Sequence, residues 1–316
     1  MSEGEPRRVL VAFGGNAMTG PGGEADPGSQ LAAVEVAMAS VARVVADGHE
    51  VVLTHGNGPQ VGNILVKNEL ARDVVPPVPL DWCGAQTQAT IGFMIMNSLE
   101  HSLDRLGIKR MVATLVTRVV VDADDPAWAN PSKPVGRYVG EAEARSLMER
   151  GQVWAERGAR GWRRMVPSPD PKEVLDRPAV MALIGDGAIV VAAGGGGIPV
   201  TRRNGRLTGA EAVLDKDLTG ALLATAVDAD TFVIATDVEH AAVGFGTPEE
   251  RVIEGTTPSE LRDLAAEGHF ATGSMGPKVE AACRFVEAGG KRSAITSLHK
   301  VAEAVDGGAG TVVERP

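Results

Sequence analysis

The sequence has few cysteines, few aromatic residues and no excess of positive charge. Its two cysteines, Cys83 and Cys283, follow no metal or redox spacing, so we expect both to be reduced thiols in the core. Aromatic residues make up 3% of the chain, and 31 Lys and Arg against 41 Asp and Glu give a formal net charge of −10. Nucleic-acid binding needs clustered cations or stacking rings, so this composition argues against a nucleic-acid-binding protein.

The sequence predicts neither a signal peptide nor a membrane span. The first eight residues contain no apolar stretch of the kind found in a signal peptide. The longest uncharged stretch, 82–99, contains Gln86, Gln88, Thr90 and Asn97, which predicts a buried amphipathic helix rather than a membrane span. We therefore expect a cytoplasmic protein without a membrane segment.

Apolar runs typical of buried strands alternate with segments of helical periodicity. Such alternation predicts an α/β fold with a mostly parallel sheet that helices cover on both faces. One segment, 122–171, breaks the rhythm and contains three of the four tryptophans, so we expect a small inserted subdomain or lid. The predicted strands are 9–13, 50–54, 111–121, 188–193, 231–236 and 292–296.

Three glycine-rich turns follow predicted strands. Glycine lets backbone N–H groups approach an anion closely, and ligands bind at the carboxyl ends of such strands. A single turn of this kind is more often only a turn, but three at strand ends favour a phosphate site. None matches a P-loop or the G-x-G-x-x-G pattern, which removes the main support for a nicotinamide dehydrogenase. The turns are Gly14-Gly15-Asn16, Gly56-Asn57-Gly58 and 194–197.

Three lysines lie in motifs with rigid or polar neighbours. Lys133 is flanked by prolines in what the sequence predicts to be a stiff loop, and Lys216 opens a helix after a polar turn. Lys278 joins a glycine-rich loop to a helix predicted over 279–288, where a helix N-terminus favours anions. Most lysines in proteins are solvated surface residues, but the rigid neighbours of Lys133 and Lys278 favour a functional role.

Other catalytic chemistry has little support. The six histidines form no paired ligand pattern that would indicate zinc, and no G-x-S-x-G motif indicates a serine hydrolase. His55, beside two glycines, either contacts a ligand or has a structural role in its turn.

With these residues the sequence resembles the carbamate kinases of the amino-acid kinase family, from residue 9 to about residue 297. Each shared motif is weak alone, and the set is specific. The motifs are AFGGNA at 12–17, THGNGPQ at 54–60, DPAWANPSKPVG at 125–136, RRMVPSP at 163–169, GGGGIP at 194–199, DKD at 215–217 and GSMGPK at 273–278.

The resemblance implies a fold and a reaction. The fold is a three-layer α/β/α sandwich with a mostly parallel central sheet and a small protruding subdomain, in a homodimer. One domain spans 1–316: its N-terminal part, about 1–205, binds carbamoyl phosphate and contains the lid at about 122–171, and its C-terminal part, about 206–316, binds nucleotide. The reaction is reversible phosphoryl transfer between ATP and carbamate, in arginine and carbamoyl-phosphate catabolism. Mg²⁺ arrives with ATP or ADP, and no protein side chain is assigned to it.

The resemblance also implies roles for particular residues. The catalytic residues are Lys133, Lys216, Asp217 and Lys278. The residues for carbamoyl phosphate are Gly14, Gly15, Asn16, Gly56, Asn57, Gly58, Lys133, Gly194 and Gly195. The residues for the nucleotide are Asp215, Lys216, Thr236, Asp237, Val238, Gly273, Ser274, Met275, Gly276, Pro277 and Lys278.

Two alternatives stay open. The first is a sibling kinase for another small acid. Siblings acting on acetylglutamate, glutamate or UMP usually have Lys at the position of Ala12, and Lys216 would supply that charge here. The second is a nucleotide or anion sensor without catalysis, which the four retained catalytic residues disfavour. Trp128 and Arg137 depart from the family pattern, which usually has Phe and Pro at these positions.

Overall fold

A computed structural model describes residues 6–19, 26–270 and 274–316, with only the backbone described at positions 16 and 17. The described residues form α-helices and strands in the alternating order that the sequence predicts. The helices are α1 Pro27–Ala46, α2 Gly58–Ala71, α3 Leu80–Arg105, α4 Glu141–Met148, α5 Arg177–Gly185, α6 Lys216–Ala226, α7 Pro258–Ala266, α8 Met275–Glu287 and α9 Val301–Val305.

The strands are short, and those of the central sheet are the most buried. They are β1 Arg8–Phe13, β2 Glu50–His55, β3 Val112–Thr114, β4 Arg118–Val121, β5 Lys133–Val139, β6 Val153–Glu156, β7 Trp162–Val166, β8 Pro171–Val174, β9 Ile189–Val191, β10 Ile198–Arg203, β11 Arg206–Gly209, β12 Thr231–Thr236, β13 Ala241–Val243, β14 Arg251–Ile253, β15 Gly255–Thr256, β16 Arg292–Ser297 and β17 Thr311–Glu314.

The central sheet has the order β15-β17-β16-β12-β1-β2-β9-β3 and is parallel except where β16 meets β17. Successive residues of β1 point into different cores: Leu10 packs in the cluster that contains Leu223 of α6 and Phe285 of α8. Val11 packs in the other cluster, with Val41 of α1 and Ile95 of α3. Alternate strand residues face opposite sides, so the predicted three-layer α/β/α sandwich is confirmed.

The prediction of a single strand over 111–121 is wrong. It is divided into β3, at the edge of the central sheet, and β4, in a second sheet of order β11-β10-β4-β8. Thr117, fully buried between them, donates its N–H to Gln88 Oε1 of α3 at 2.9 Å. The Gln88 amide also donates to the Gly194 carbonyl at 2.9 Å. The Gln88 side chain therefore accepts the hydrogen bond that the Thr117 N–H would donate to a neighbouring strand if the strand were continuous. The apolar sequence pattern continues through this break and does not reveal it.

The inserted segment has its own antiparallel sheet, of order β5-β7-β6, together with α4. The prediction that Lys133 lies in a loop is wrong. Lys133 is the first residue of β5, opposite Val166 of β7. Its proline neighbour Pro134 is tolerated because β5 is an edge strand of this sheet. A strand gives Lys133 a fixed direction.

Two long apolar helices lie against the central sheet. The helix predicted over 82–99 is present as the longer α3, although Trp82 and Phe93 on its outer face are exposed. Among the described helices, α1 alone is long and apolar enough to span a membrane, but half of that window is buried, including Met38 in the core. Both cysteines are free and buried, as predicted.

Candidate active site

The three glycine turns meet at one edge of the central sheet. They follow β1, β2 and β9, as the sequence predicts, and the structure shows that these three strands are neighbours in the sheet. Backbone bonds hold two of them: the Gly14 N–H donates to the Ala235 carbonyl at 2.9 Å, and the Gly56 N–H donates to the Phe13 carbonyl at 3.0 Å. At the carboxyl ends of these strands, the glycines therefore leave backbone groups uncovered by side chains.

The second and third turns interlock. A Cβ atom at Gly194 would lie 2.2 Å from His55 Nε2, and one at Gly195, where φ is +67°, would lie 2.0 Å from Asn57 Nδ2. Asn57 is itself fixed, because its amide donates to Thr87 Oγ1 of α3 at 2.8 Å. Only glycine fits at either position.

His55 has the structural role in its turn. Its ring is buried under Gly194, and Nδ1 lies 3.0 Å from the Gly56 carbonyl. Burial lowers the pKa of His55 to about 4, because the interior disfavours the charged ring. The neutral imidazole therefore donates Nδ1–H to that carbonyl and supports the turn.

A buried charge cluster lies beside the turns. Asp217, in the first turn of α6, accepts from the Lys216 ammonium through Oδ1 and from Lys278 Nζ of α8 through Oδ2 at 3.1 Å. The exposed fraction of Asp217 is 3% and that of Lys278 is 8%. A single carboxylate thus bridges two ammonium groups from two helices.

The charges of this cluster favour the ionised form of the Asp217 carboxyl. Burial raises the pKa of the Asp217 carboxyl, but the charges of Lys216 and Lys278 outweigh burial and hold that pKa below its usual value. Burial and the Lys278 charge lower the pKa of Lys216, against the opposing effect of Asp217. Asp217 is therefore ionised, and it stabilises two cations that would otherwise repel each other.

Asp215 connects the inserted subdomain to the same helix. Its Oδ1 caps α6, accepting from the N–H groups of Asp217 at 2.9 Å and Leu218 at 3.3 Å. Its Oδ2 accepts from Lys133 Nζ at 2.5 Å. A preferred N-cap residue thus also holds the lysine that β5 brings from the subdomain.

A cavity of about 220 Å³ joins these parts. The N-termini of α6 and α8 both reach it, and such termini attract anions through their unpaired N–H groups and dipoles. Its lining combines both halves of the chain: Gly15, Gly56, Asn57, Gly58, Pro59, Lys133, Pro134, Gly195, Val213, Leu214, Asp215, Lys216, Asp217, Ser274, Pro277 and Lys278.

Some residues assigned from the sequence lie outside this lining. Thr236 ends β12 with its Cα next to Gly14, and the exposed Asp237 follows it. The others that do not line the cavity are Gly14, Val238, Gly194, Met275 and Gly276. Gly273 and the side chain of Asn16 lie outside the described residues.

Four lining residues were not assigned from the sequence. Pro59 and Pro134 directly follow assigned residues, and this adjacency was the available signal. Val213 and Leu214 precede Asp215 and carry no chemical signature, because apolar residues of this kind occur throughout the core.

A parallel sheet whose strand-end turns face lysines at two helix N-termini is typical of α/β proteins that bind phosphate groups. The chain belongs to the amino acid kinase family, whose profile matches residues 7–297. It is 47% identical to the carbamate kinase of Thermococcus kodakarensis over 98% of this chain and 99% of that protein. It is 45% identical to the carbamate kinase of Pyrococcus horikoshii, again over 98% and 99%. Among solved structures, carbamate kinase from Giardia lamblia bound to AMP-PNP superposes with a TM-score of 0.93 at 40% identity, over 99% of each chain.

Proposed function

We propose that this protein is a carbamate kinase, which reversibly converts ADP and carbamoyl phosphate into ATP and carbamate. The observation that carries the proposal is the buried Lys216–Asp217–Lys278 cluster, which shares one cavity with Lys133 and the glycine turns. A site of this kind could accommodate many small acids. The similarity of the whole chain to carbamate kinases favours carbamate among them.

The geometry suits transfer without a covalent enzyme intermediate. The bond between the carbamate oxygen and phosphorus breaks as the ADP β-phosphate oxygen bonds to phosphorus, and charge spreads over the equatorial oxygens. The ammonium groups of Lys216 and Lys278 neutralise that charge, and Asp217 positions them. Preorganised cations of this kind lower the barrier because they need no rearrangement during the reaction.

The two substrates divide between the halves of the chain. The glycine turns and Lys133 hold carbamoyl phosphate, with about 1–205 as its binding part and 122–171 as a lid. The part from about 206 to 316 holds the nucleotide, with Asp215, Thr236–Val238 and the segment that enters α8. The meeting of β5 and α6 at the Lys133–Asp215 ion pair supports this division.

The donor chemistry fits Mg²⁺ that is carried by the nucleotide. Within the described parts of the chain, no three His, Cys, Asp or Glu side chains are placed to hold a metal. Asp215 and Asp217, the carboxylates at the cavity, are each paired with a lysine. Nucleotide phosphate oxygens would therefore hold Mg²⁺, which supplies further neutralisation of charge when bound. The proposal includes a cytoplasmic homodimer that acts in arginine or carbamoyl-phosphate catabolism.

One structural observation disfavours a sibling kinase. Ala12, where siblings usually have Lys, is fully buried in β1 and packs against Gly220 of α6. A lysine there would have to pass between β1 and α6, and Lys216 already brings an ammonium group to the cavity. The site thus obtains its cation from α6.

The experiment is ATP formation from ADP, carbamoyl phosphate and Mg²⁺, followed by luciferase luminescence, with ATP plus acetylglutamate, glutamate or UMP as competing reactions. We expect ATP formation from carbamoyl phosphate and no transfer to the other acceptors. Transfer to one of them would establish a sibling kinase. A folded protein that binds ADP but transfers nothing in either direction would establish a sensor.

A further inference from the structure

A second cavity, of about 260 Å³, lies at the seam between α2 and the inserted subdomain, and we call it the seam cavity. It shares no lining residue with the cavity described above. One wall is α2, and the other consists of α4 and the sheet β5-β7-β6. Its lining is Leu65, Val66, Glu69, Leu70, Gly136, Arg137, Val139, Glu143, Ser146, Leu147, Arg150, Gln152, Trp154 and Arg164.

The carboxylates of the seam cavity are already neutralised. Glu69 forms ion pairs with Arg72 at 3.2 Å and Arg150 at 3.6 Å, and Glu143 is paired with Arg137. Both lining carboxylates therefore have arginine partners, of which Arg137 and Arg150 line the cavity and Arg72 lies next to it.

Arg164 of β7 differs from the other arginines of the cavity. Its guanidinium forms no hydrogen bond and no ion pair with any residue in 6–19, 26–270 or 274–316, although the side chain is half-buried. Among the described residues of a protein with a net charge of −10, the Arg164 guanidinium thus lies in a cavity without an ion-pair partner. Guanidinium groups bind carboxylates through paired, charge-assisted hydrogen bonds.

Six lining residues have apolar side chains: Leu65, Val66, Leu70, Val139, Leu147 and Trp154. Leu65, Val139 and Leu147 are at least nine-tenths buried and form its floor. The Trp154 indole N–H donates to Gln152 Oε1 at 3.0 Å, so the donor of this ring is satisfied. The ring is left as an apolar wall, suited to stacking on an aromatic group.

We propose that the seam cavity binds a small carboxylic acid with an apolar, aromatic body. The carboxylate pairs with Arg164, and the body lies among Leu65, Leu147 and Trp154. Ligand sites combine apolar walls with placed polar groups. Here six apolar side chains lie beside Arg164, and the other four charged side chains of the lining pair with one another.

Such a ligand would act on the active site, because both walls of the seam cavity continue into it. The helix α2 begins at the glycine turn of Gly58, and β5 begins at Lys133. Between the two cavities, α2 and β5 touch through backbone: a Cβ atom at Gly62 would lie 3.2 Å from Gly136 Cα. A molecule bound between the walls therefore alters the position of Lys133 and the KM for carbamoyl phosphate. This second part rests on the proposed function, whereas the binding itself does not.

The binding test uses phenylacetate and its neutral isostere phenylacetamide, titrated into the full chain and followed by calorimetry and by amide NMR shifts. We expect phenylacetate to bind about tenfold more tightly than phenylacetamide, because one charge-assisted pair is lost with the amide. Arg164→Gln should remove that preference, and Arg145→Gln, an exposed arginine on α4 outside the cavity, should retain it.

A second variant guards against a change of fold. Ser146 is exposed on α4 at the cavity mouth, so Ser146→Phe should fill the space and abolish phenylacetate binding without lowering the melting temperature. Equal affinity for acid and amide, no binding, or binding that neither Arg164→Gln nor Ser146→Phe weakens would overturn the site. Binding with the expected variant effects, but with an unchanged KM for carbamoyl phosphate, would overturn the coupling alone.

Discussion

The charges of the active site and those of the inserted subdomain are arranged in opposite ways. At the site, Asp217 is almost completely buried between two lysines. In the subdomain, Arg145 and Glu141 of α4 form an ion pair whose side chains are 67% and 58% exposed. Removing one partner of a buried pair leaves an uncompensated charge, whereas water replaces the partner of an exposed one. Burial, and not the number of ion pairs, decides which charges this protein depends on.

The strongest test of this comparison is Asp217→Asn. We expect turnover to fall by orders of magnitude while ADP affinity stays within about tenfold, or about 1.4 kcal/mol, because the amide keeps the volume but no longer holds both ammonium groups. Steady-state kinetics and calorimetric ADP titration measure the two effects, with circular dichroism as the control for folding. Near-normal turnover, or loss of turnover through unfolding, would show that Asp217 does not organise the lysines.

Lys133 lies where the two regions meet, and its side chain is 33% exposed. Lys133→Ala should weaken the use of carbamoyl phosphate far more than nucleotide binding, with a loss of transition-state stabilisation of about 2 to 4 kcal/mol. The measurement compares kcat/KM for carbamoyl phosphate with the Kd of ADP, and Lys172→Ala, an exposed lysine of β8, is the matched control. Equal damage to both substrates would make the role of β5 structural.

His55 sharpens the comparison through pH. Its folded pKa of about 4 lies below the ordinary value of 6.5, so the unfolded chain binds the proton first as pH falls. The stability contributed by neutral His55 is complete above pH 6.5 and is lost between pH 6.5 and about 4, at up to about 1.4 kcal/mol per pH unit. Urea unfolding across this range measures the slope. His55→Gln should flatten it, and the exposed His101→Gln should not; equal slopes in all three proteins would contradict a buried neutral ring.

The smallest effect is expected in the subdomain. Arg145→Ala removes the ion pair with Glu141 within α4, and we expect the free energy of unfolding to fall by no more than about 0.5 kcal/mol. Urea unfolding in low and high salt measures this change. A loss of more than about 2 kcal/mol would mean that exposed charges of the subdomain carry weight comparable to buried ones.

The same contrast explains what could be predicted from the sequence. The glycine turns were found because each one ends an apolar run, a local pattern that a parallel sheet converts into proximity. Lys216 and Lys278 were found because each lies at a helix start, which is also a local pattern. The resemblance to a family supplied Asp217 as a catalytic residue, which stays a prediction, and the structure adds that Asp217 hydrogen-bonds both lysines.

What could not be predicted depends on distant partners. The break between β3 and β4 comes from Gln88, which lies 29 residues from Thr117 in sequence. The ion pair of Lys133 joins residues 82 apart, and nothing near either of them indicates the other. The seam cavity arises where α2 passes the subdomain, and no motif marks it. Long-range contacts between ordinary residues leave no local pattern in the chain.

The interlock of the second and third glycine turns has a consequence for the order of folding. Thr54, beside His55, donates to the carbonyl of Ala193, beside Gly194, across a separation of 139 residues. Closing so large a loop costs entropy before any contact compensates for it, so contacts of this kind form late. On a ribosome, the part of the cavity built from the glycine turns stays incomplete until β9 and its turn have emerged. Earlier in synthesis, the imidazole of His55 lacks the backbone that covers it in the folded protein, so this part of the core is incomplete.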